Sequence, residues 1–411
     1  MMFPMADLFW RILLSIAGFG LAGSFIFLAI VLISSIRFHR RAQCERQEIS
    51  SVPREVLPPV TIFKPVHGME ERLEENLESF FRQDYPDYEI MIGARGEDDP
   101  AIVVAETVRR RHPEVASRIV ISGPPQWPNA KVFTLDKMIA LSRNDFFVIS
   151  DSDVRVGRDF LRSVIPPLLD PGLGLITCLY RGDPASDFWS FLEAMGMSVE
   201  MPSGVIAADM LEGIRFALGP AVALRRDSLD AIGGIRATRD YYSDDYVLGN
   251  KIWAAGYKVT FSHHFIHHVL TPRPFLRTLG DQLRWMKSTR HSRPWGHIGA
   301  GLTFSMPFGL LGFLSALALK RPATALALLA AAFLNRVIQS ITVGWWLLGD
   351  RRALEFSWLY PLRDLQGFAV WAASFLSHTF YWRGEIYHFT EGGRIVAESR
   401  KVSVPSAASM V

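Results

Sequence analysis

Apolar and polar positions divide the chain into a short anchor, a long mixed stretch and a second apolar region. From Ile12 to Ile36 no charged residue interrupts the chain, enough for a helix to cross a bilayer. The run is too long for a signal-peptide core and no small-residue cleavage site follows it, so it reads as a retained anchor. Arg37, His39, Arg40, Arg41 and Arg46 follow it, against Arg11 and Asp7 before it. By the positive-inside rule the residues after Ile36 face the cytoplasm. Near the other end, Ile298 to Leu319 is uncharged and long enough to span. Ala323 to Leu348 also qualifies, with Asn335 and Arg336 inside it; a charge there should face protein, water or a headgroup. Leu365 to Trp382 is the third stretch, preceded by Arg363 and Asp364. The last two read as spans or as re-entrant or interfacial helices. Three spans would carry the tail out of the cytoplasm, whereas Arg383, Arg394, Arg400 and Lys401 favour the inside, so its side stays open. The pattern gives an anchor at 1–36, a basic linker at 37–58, a catalytic domain at 59–295, membrane segments at 296–382 and a polar tail at 383–411.

Within the middle stretch, short apolar runs alternate with helical spacing. Val60 to Phe63, Tyr88 to Ala94, Ile119 to Ile121 and Phe146 to Ile149 read as strands. Leu73, Leu77, Phe80 and Phe81 recur at helical spacing, and Ala101 to Arg111 and Val132 to Leu141 read as two further helices. Alternation of this kind predicts an α/β domain with a parallel sheet covered on both faces. Ligands of such sheets bind at the carboxyl ends of the strands.

Composition narrows the class. Hydrophobic residues make up 49% of the chain, high for a soluble enzyme. The net charge of +3 gives no concentrated basic stripe, which argues against a nucleic-acid partner. Two cysteines, Cys44 and Cys178, exclude a disulfide framework and a cysteine zinc site.

Chemistry gathers in three places. Asp151-Ser152-Asp153 follows the fourth strand. Two carboxylates so spaced can share Mg²⁺ or Mn²⁺, which would offset charge on a departing diphosphate; the bland alternative is an acidic turn. Tyr241-Tyr242-Ser243-Asp244-Asp245 sets an acidic pair beside aromatics. A carboxylate there suits a base for an acceptor hydroxyl, and the same residues also suit a helix start capped by Ser243. In Gln282-Leu283-Arg284-Trp285, Arg284 suits bidentate diphosphate binding and Trp285 stacking, or the segment is an amphipathic helix on the membrane. Lys131, after Asn129, and the weaker Lys64 are candidate donor-phosphate contacts. His263, His264, His267 and His268 alternate with Phe265 and Ile266 in strand fashion and read as packing rather than metal ligands. Gly219-Pro220 reads as a tight loop bordering the site. Asp187 to Ile206, rich in Phe, Trp and Met, suits core or an acceptor surface.

The ordered set Lys64-Pro65-Val66-His67-Gly68, Asn76 to Phe81, Tyr85 to Glu89, Asp98 to Ile102, Asn129 to Lys131, Asp151 to Asp153, Asp244-Asp245 and Gln282 to Trp285 resembles ceramide glucosyltransferases and their bacterial relatives. The resemblance runs from about Pro59 to Arg290. It implies a GT-A fold, an inverting mechanism, a UDP-sugar donor, a divalent cation and a lipid acceptor. Asp151 and Asp153 match the metal and donor motif, Asp245 the base with Asp244 beside it, and Gln282, Arg284 and Trp285 the Arg-Trp signature. Two positions depart from the family pattern. Gly96 stands where an aspartate is usual, with Asp98 or Asp99 as substitutes. Asp281 stands three residues before Arg284, where Gln or Arg is usual. Hopanoid N-acetylglucosaminyltransferases resemble the chain nearly as well.

These observations predict transfer of a sugar, glucose in the first instance, to a lipid hydroxyl by an integral membrane enzyme. Its catalytic domain would face the cytoplasm, as in a bacterial inner membrane. The alternatives are the hopanoid enzyme, a processive polysaccharide synthase, for which the membrane segments are few, and a catalytically impaired lipid-binding scaffold.

Overall fold

The computed structural model describes residues 3–382 and 385–398. It opens on one helix, α1 (Phe3–Ser50), about 70 Å long at 1.5 Å per residue. The basic stretch expected to be a linker is therefore helical as far as Ser50. Arg37 to Glu48 are good helix formers, and packing fixes the extension: Phe38 lies 6.2 Å from Phe261 and 6.1 Å from Phe265, and Arg41 pairs with Asp209 at 3.2 Å.

The α/β region follows in the order β1 (Val60–Pro65), α2 (Leu73–Phe81), β2 (Tyr88–Ala94), α3 (Pro100–Arg111), β3 (Ala116–Ile121), α4 (Ala130–Ile139), β4 (Phe146–Ser150) and β5 (Val154–Arg155). It continues with α5 (Phe160–Val164), β6 (Leu173–Asp183), α6 (Phe188–Met195), α7 (Met201–Glu212), β7 (Ala221–Arg225), α8 (Arg226–Asp230), α9 (Asp244–Ala254) and β8 (Lys258–Val269). All four predicted strands and all three predicted helices of the first half are present. One sheet of order β3-β2-β1-β4-β7-β6-β8-β5 unites the region. β3, β2, β1 and β4 run parallel. The expectation of a wholly parallel sheet is corrected beyond β4, because β7 pairs antiparallel with both β4 and β6. Two apolar cores flank the sheet: Ile62, Ile90 and Val148 face one, and Phe63, Met91 and Phe147 face the other. Alternate residues of buried strands thus serve opposite layers.

The amphipathic α10 (Phe275–Ser292) and the short α11 (Pro294–Ala300) lead to α12 (Met306–Ala318) and α13 (Pro322–Gln339). The expected single span from Ile298 to Leu319 is broken at 301–305. There the amides of Ser305 and Met306 donate to Asp364 Oδ2 at 2.9 and 2.8 Å, starting a new helix. α13 runs on as π-helical turns, Ser340–Leu347. Among the described residues two helices are long and apolar enough to cross a membrane: α1, and α13 with its π-helical continuation. Close approach of α12 to its neighbours depends on glycine. A Cβ on Gly20 would lie 2.2 Å from Phe308, and one on Gly309 would lie 2.3 Å from that of Ala332. Arg336 faces protein, paired with Asp364 at 3.1 Å with both side chains 2% exposed.

α14 (Arg351–Glu355) and α15 (Tyr360–Ala373) complete the helical part. The third apolar stretch is therefore not one helix to Trp382. Its end forms β9 (Thr379–Trp382), which pairs with β10 (Glu385–Phe389), itself paired with β11 (Ile395–Ala397). The described part of the expected polar tail thus folds as sheet and packs on the α/β region, which puts Arg394 on the same side as that region. Arg383, Arg400 and Lys401 lie outside the described residues.

Candidate active site

The site forms at the carboxyl ends of β1 and β4. Phe63 pairs with Ile149 across these strands, so Lys64 reaches the end of β4. Its ammonium donates to Ser150 Oγ at 3.3 Å and to the Asp151 carbonyl, and sits 4.0 Å over the Phe80 ring. Full burial lowers the Lys64 pKa to about 7, against the raising effect of Asp151, Asp153 and Glu70. Lys64 thus supports the backbone of the acidic motif.

Lys131 connects two motifs far apart in sequence. Asn129 caps α4 by accepting from the Lys131 and Val132 amides, and its own amide donates to the Tyr241 carbonyl at 3.0 Å and Asp244 Oδ1 at 3.2 Å. The Lys131 ammonium then lies 2.5 Å from Asp151 Oδ1 and 3.8 Å from Asp244 Oδ2. Burial opposes its charge, but Asp151 and Asp244 hold its pKa above the ordinary lysine value.

Asp245 is in the first turn of α9. A Cβ on Gly219 would lie 2.9 Å from its Oδ2, and Pro220, next in the chain, accepts from the Asp151 amide at 3.1 Å. The Gly219-Pro220 loop therefore runs between the two acids. Burial, then the charge of Asp244, raises the Asp245 pKa to about 7, with Lys131 opposing. A carboxyl so tuned is half ionised near neutrality and suits proton abstraction. Ser243 does not cap α9 through its side chain; its hydroxyl instead pairs with that of Ser288 on α10 at 2.6 Å.

Asp153 Oδ2 is 3.4 Å from His268 Nε2, while its buried Oδ1 has no hydrogen-bond partner. Glu70, which sequence reasoning missed, hydrogen-bonds Ser152 and leaves Oε2 buried without a partner. Burial and Asp153 raise the Glu70 pKa to about 7. Its place in the loop after β1 was the signal available. Among the described residues no three His, Cys, Asp or Glu side chains form a ready metal cage. Two unpartnered carboxylate oxygens nevertheless fit a hard cation, which takes oxygen ligands and completes its shell with water or phosphate. The four histidines do not share a centre: they neighbour Glu45, Asp159, Arg181 and Asp153 respectively.

The Arg-Trp segment lies on α10. Arg284 Nε donates to the Tyr242 hydroxyl at 2.6 Å, and its Nη1 is 2.9 Å from Asp281 Oδ1. Asp281, at the variant position, thus helps hold Arg284. Trp285 is 39% exposed. Gln282 is buried and accepts from Arg363 Nη1 at 3.0 Å, which turns its oxygen toward α15. Asp98 is exposed, and among the described residues no hydrogen bond or ion pair joins it to the acidic cluster. Asp99 instead caps α3 and accepts from the Gly68 amide.

A mixed α/β sheet with an acidic motif at the end of its fourth strand has the GT-A-like architecture that the sequence led one to expect. The profile of glycosyl transferase family 21 matches residues 25–395. The chain belongs to that family and is a glycosyltransferase. It is similar to ceramide glucosyltransferase 3 of Caenorhabditis elegans, with 23% identity over 83% of this chain and 74% of the relative. Ceramide glucosyltransferase 1 of the same organism is 22% identical over 87% of this chain and 77% of the relative. Among solved structures, a mannosyltransferase from Pyrobaculum calidifontis in complex with GDP-Man and Mn²⁺ aligns with TM-score 0.48 and 19% identity, over 85% of this chain and 99% of the other.

Proposed function

We propose that the protein transfers glucose from UDP-glucose to the hydroxyl of a ceramide-like membrane lipid, with inversion, at the cytoplasmic face of the membrane. The observation that carries this reading is the convergence of Asp151, Asp244 and Asp245 around Lys131. The C. elegans relatives, both ceramide glucosyltransferases by name, support the lipid acceptor.

In this reading Asp245 takes the proton of the acceptor hydroxyl as its oxygen attacks the anomeric carbon. Asp244, bonded to Asn129 and near Lys131, raises the basicity of Asp245 and orders the loop. Asp153 and Glu70, each with a carboxylate oxygen that has no protein partner, would hold Mg²⁺ or Mn²⁺ together with Asp151. That ion supplies Lewis acidity toward the departing diphosphate. Lys131 and Arg284 place positive charge where negative charge grows on the departing diphosphate. Lys64 fixes the Asp151 backbone. Trp285, half-exposed on α10, stacks on the donor or seats the helix at the lipid surface, and Gln282 orients that helix. Apolar α1 and the α12–α13 pair keep the lipid chains in the bilayer, so that only the hydroxyl needs to enter the polar site.

The test is product formation by purified protein in lipid nanodiscs, comparing wild type with Asp245→Asn. Mass spectrometry should show a hexosyl-ceramide with wild type and a loss of about 10²-fold or more with the variant. Transfer by the variant at the wild-type rate would sink the mechanism. An N-acetylhexosaminyl-hopanoid as the only product would replace both substrates.

A further inference from the structure

The C-terminal strands have no part in the chemistry described so far, yet they touch it on two sides. Phe380, Phe389 and Ile395 are buried between the small sheet and the catalytic region. Into that apolar patch goes the ring of Tyr242, edge-on to Phe380 at 5.3 Å, Trp382 at 5.3 Å and Phe389 at 5.8 Å. The neighbouring backbone is tied as well. The Ile395 amide donates to the Asp240 carbonyl at 2.8 Å, and Tyr241 forms a β-bridge with Arg394. On its other side the sheet holds α10: Lys287 donates to the Thr379 carbonyl at 2.7 Å, and His291 stacks on Phe389 at 5.0 Å. Gly393 has φ +84°, a conformation that favours glycine, and a Cβ there would lie 3.1 Å from Ser292 Oγ.

We propose that the C-terminal sheet is a positioning element of the transfer site, clamping the Tyr242 ring so that its hydroxyl fixes the Arg284 guanidinium toward the leaving diphosphate. This rests on the reading of Arg284 given above. An arginine has many rotamers, and a guanidinium displaced by about 1 Å can cost roughly 100-fold in rate. Here Arg284 is held at two points, by Tyr242 at 2.6 Å and by Asp281 at 2.9 Å. Only the first depends on the tail. The alternative is plain apolar packing, in which the Tyr242 hydroxyl is incidental and the ring alone matters.

The experiment uses full-length protein in nanodiscs and measures kcat, donor KM and the thermal midpoint for Tyr242→Phe, Phe389→Ala, Arg284→Lys and the Tyr242→Phe, Arg284→Lys double variant. Tyr242→Phe keeps the ring in its box, so its midpoint should stay near wild type while kcat falls about 10- to 100-fold. Phe389→Ala should lower kcat in the same direction. On the Arg284→Lys background, Tyr242→Phe should cost about threefold or less, because the partner it positions is already altered. Wild-type kcat in Tyr242→Phe, or the same fold-loss on both backgrounds, overturns the proposal. Asp245→Asn, assayed alongside, separates the two readings. If it is inactive while Tyr242→Phe is fully active, the clamp fails alone; if it transfers at the wild-type rate, the proposed mechanism fails with it.

Discussion

Replacing Lys131 with methionine removes one positive charge from among three carboxylates while nearly keeping the side chain's length. In the native protein the ammonium is 2.5 Å from Asp151 and 3.8 Å from Asp244, and its field also lowers the pKa of Asp245. Even so, burial and Asp244 leave Asp245 at about 7. The ionised form is the base. With a pKa of about 7, roughly half of Asp245 is ionised at pH 7 and about one-eleventh at pH 6. Wild-type kcat should therefore rise about fivefold between pH 6 and pH 7 and level off above about pH 8. An opposite charge at close range is worth about one pKa unit or more, or about 1.4 kcal/mol per unit. Lys131→Met should then move the midpoint of the rise about one unit alkaline, on top of a pH-independent fall in the plateau from the charge lost beside the diphosphate. Working at saturating donor separates this shift from weaker diphosphate binding. The assay is mass-spectrometric glycolipid formation across that pH range. An unmoved midpoint, or a shift toward acid, would refute the coupling between Lys131 and the base.

Asp153→Ala removes a buried oxygen that has no protein partner; the Mn²⁺ concentration for half-maximal activity should rise about tenfold or more, and an unchanged metal titration would count against a cation there. Gly219→Ala places a Cβ 2.9 Å from Asp245 Oδ2. The base must shift, and kcat should fall about 10- to 100-fold while donor affinity, read by calorimetry, stays near wild type; equal kcat would show that the loop can yield. Arg336→Met strips Asp364 of its buried partner and should cost about 3 kcal/mol of stability, seen as a lower thermal midpoint that the added Asp364→Asn change partly restores. A midpoint unchanged by the single substitution would contradict the pairing.

The half of the fold up to β4 was legible because its signals are local. Short apolar runs such as Tyr88 to Ala94, bounded by turn residues, read as buried strands, and a motif directly after one falls at the sheet's ligand-binding edge. What escaped depends on partners distant in sequence. The break before Met306 is fixed by Asp364, 58 residues on. The helical course of 37–50 depends on Phe38 meeting Phe261 and Phe265. β9 hides in an apolar run whose composition suits a helix equally well, and it is held in the sheet by pairing with β10. Glu70 carries no motif, and only the folding of its loop beside Ser152 brings it near Asp153. Within the candidate site, the residue types were readable, but the bridge by Lys131 from Asp151 to Asp244 was not, because no spacing rule relates positions in different crossovers.

Those long-range partners also connect the apolar helices to the chemistry. Arg336 on α13 pairs with Asp364 on α15, and Asp364 in turn starts α12. The adjacent Arg363 pairs with Glu200 at 2.9 Å and donates to Gln282, two residues before Arg284. Arg336, Asp364 and Arg363 are buried and Glu200 is partly buried, and a buried charge that loses its partner is strongly unfavourable. The α12–α13 pair therefore cannot shift against α15 without disturbing the turn of α10 that presents Arg284. An active site whose acceptor arrives from the bilayer needs a fixed distance between the lipid-facing helices and the base. In the proposed reading this chain of buried and part-buried ion pairs, and not the basic linker expected after the anchor, sets that distance.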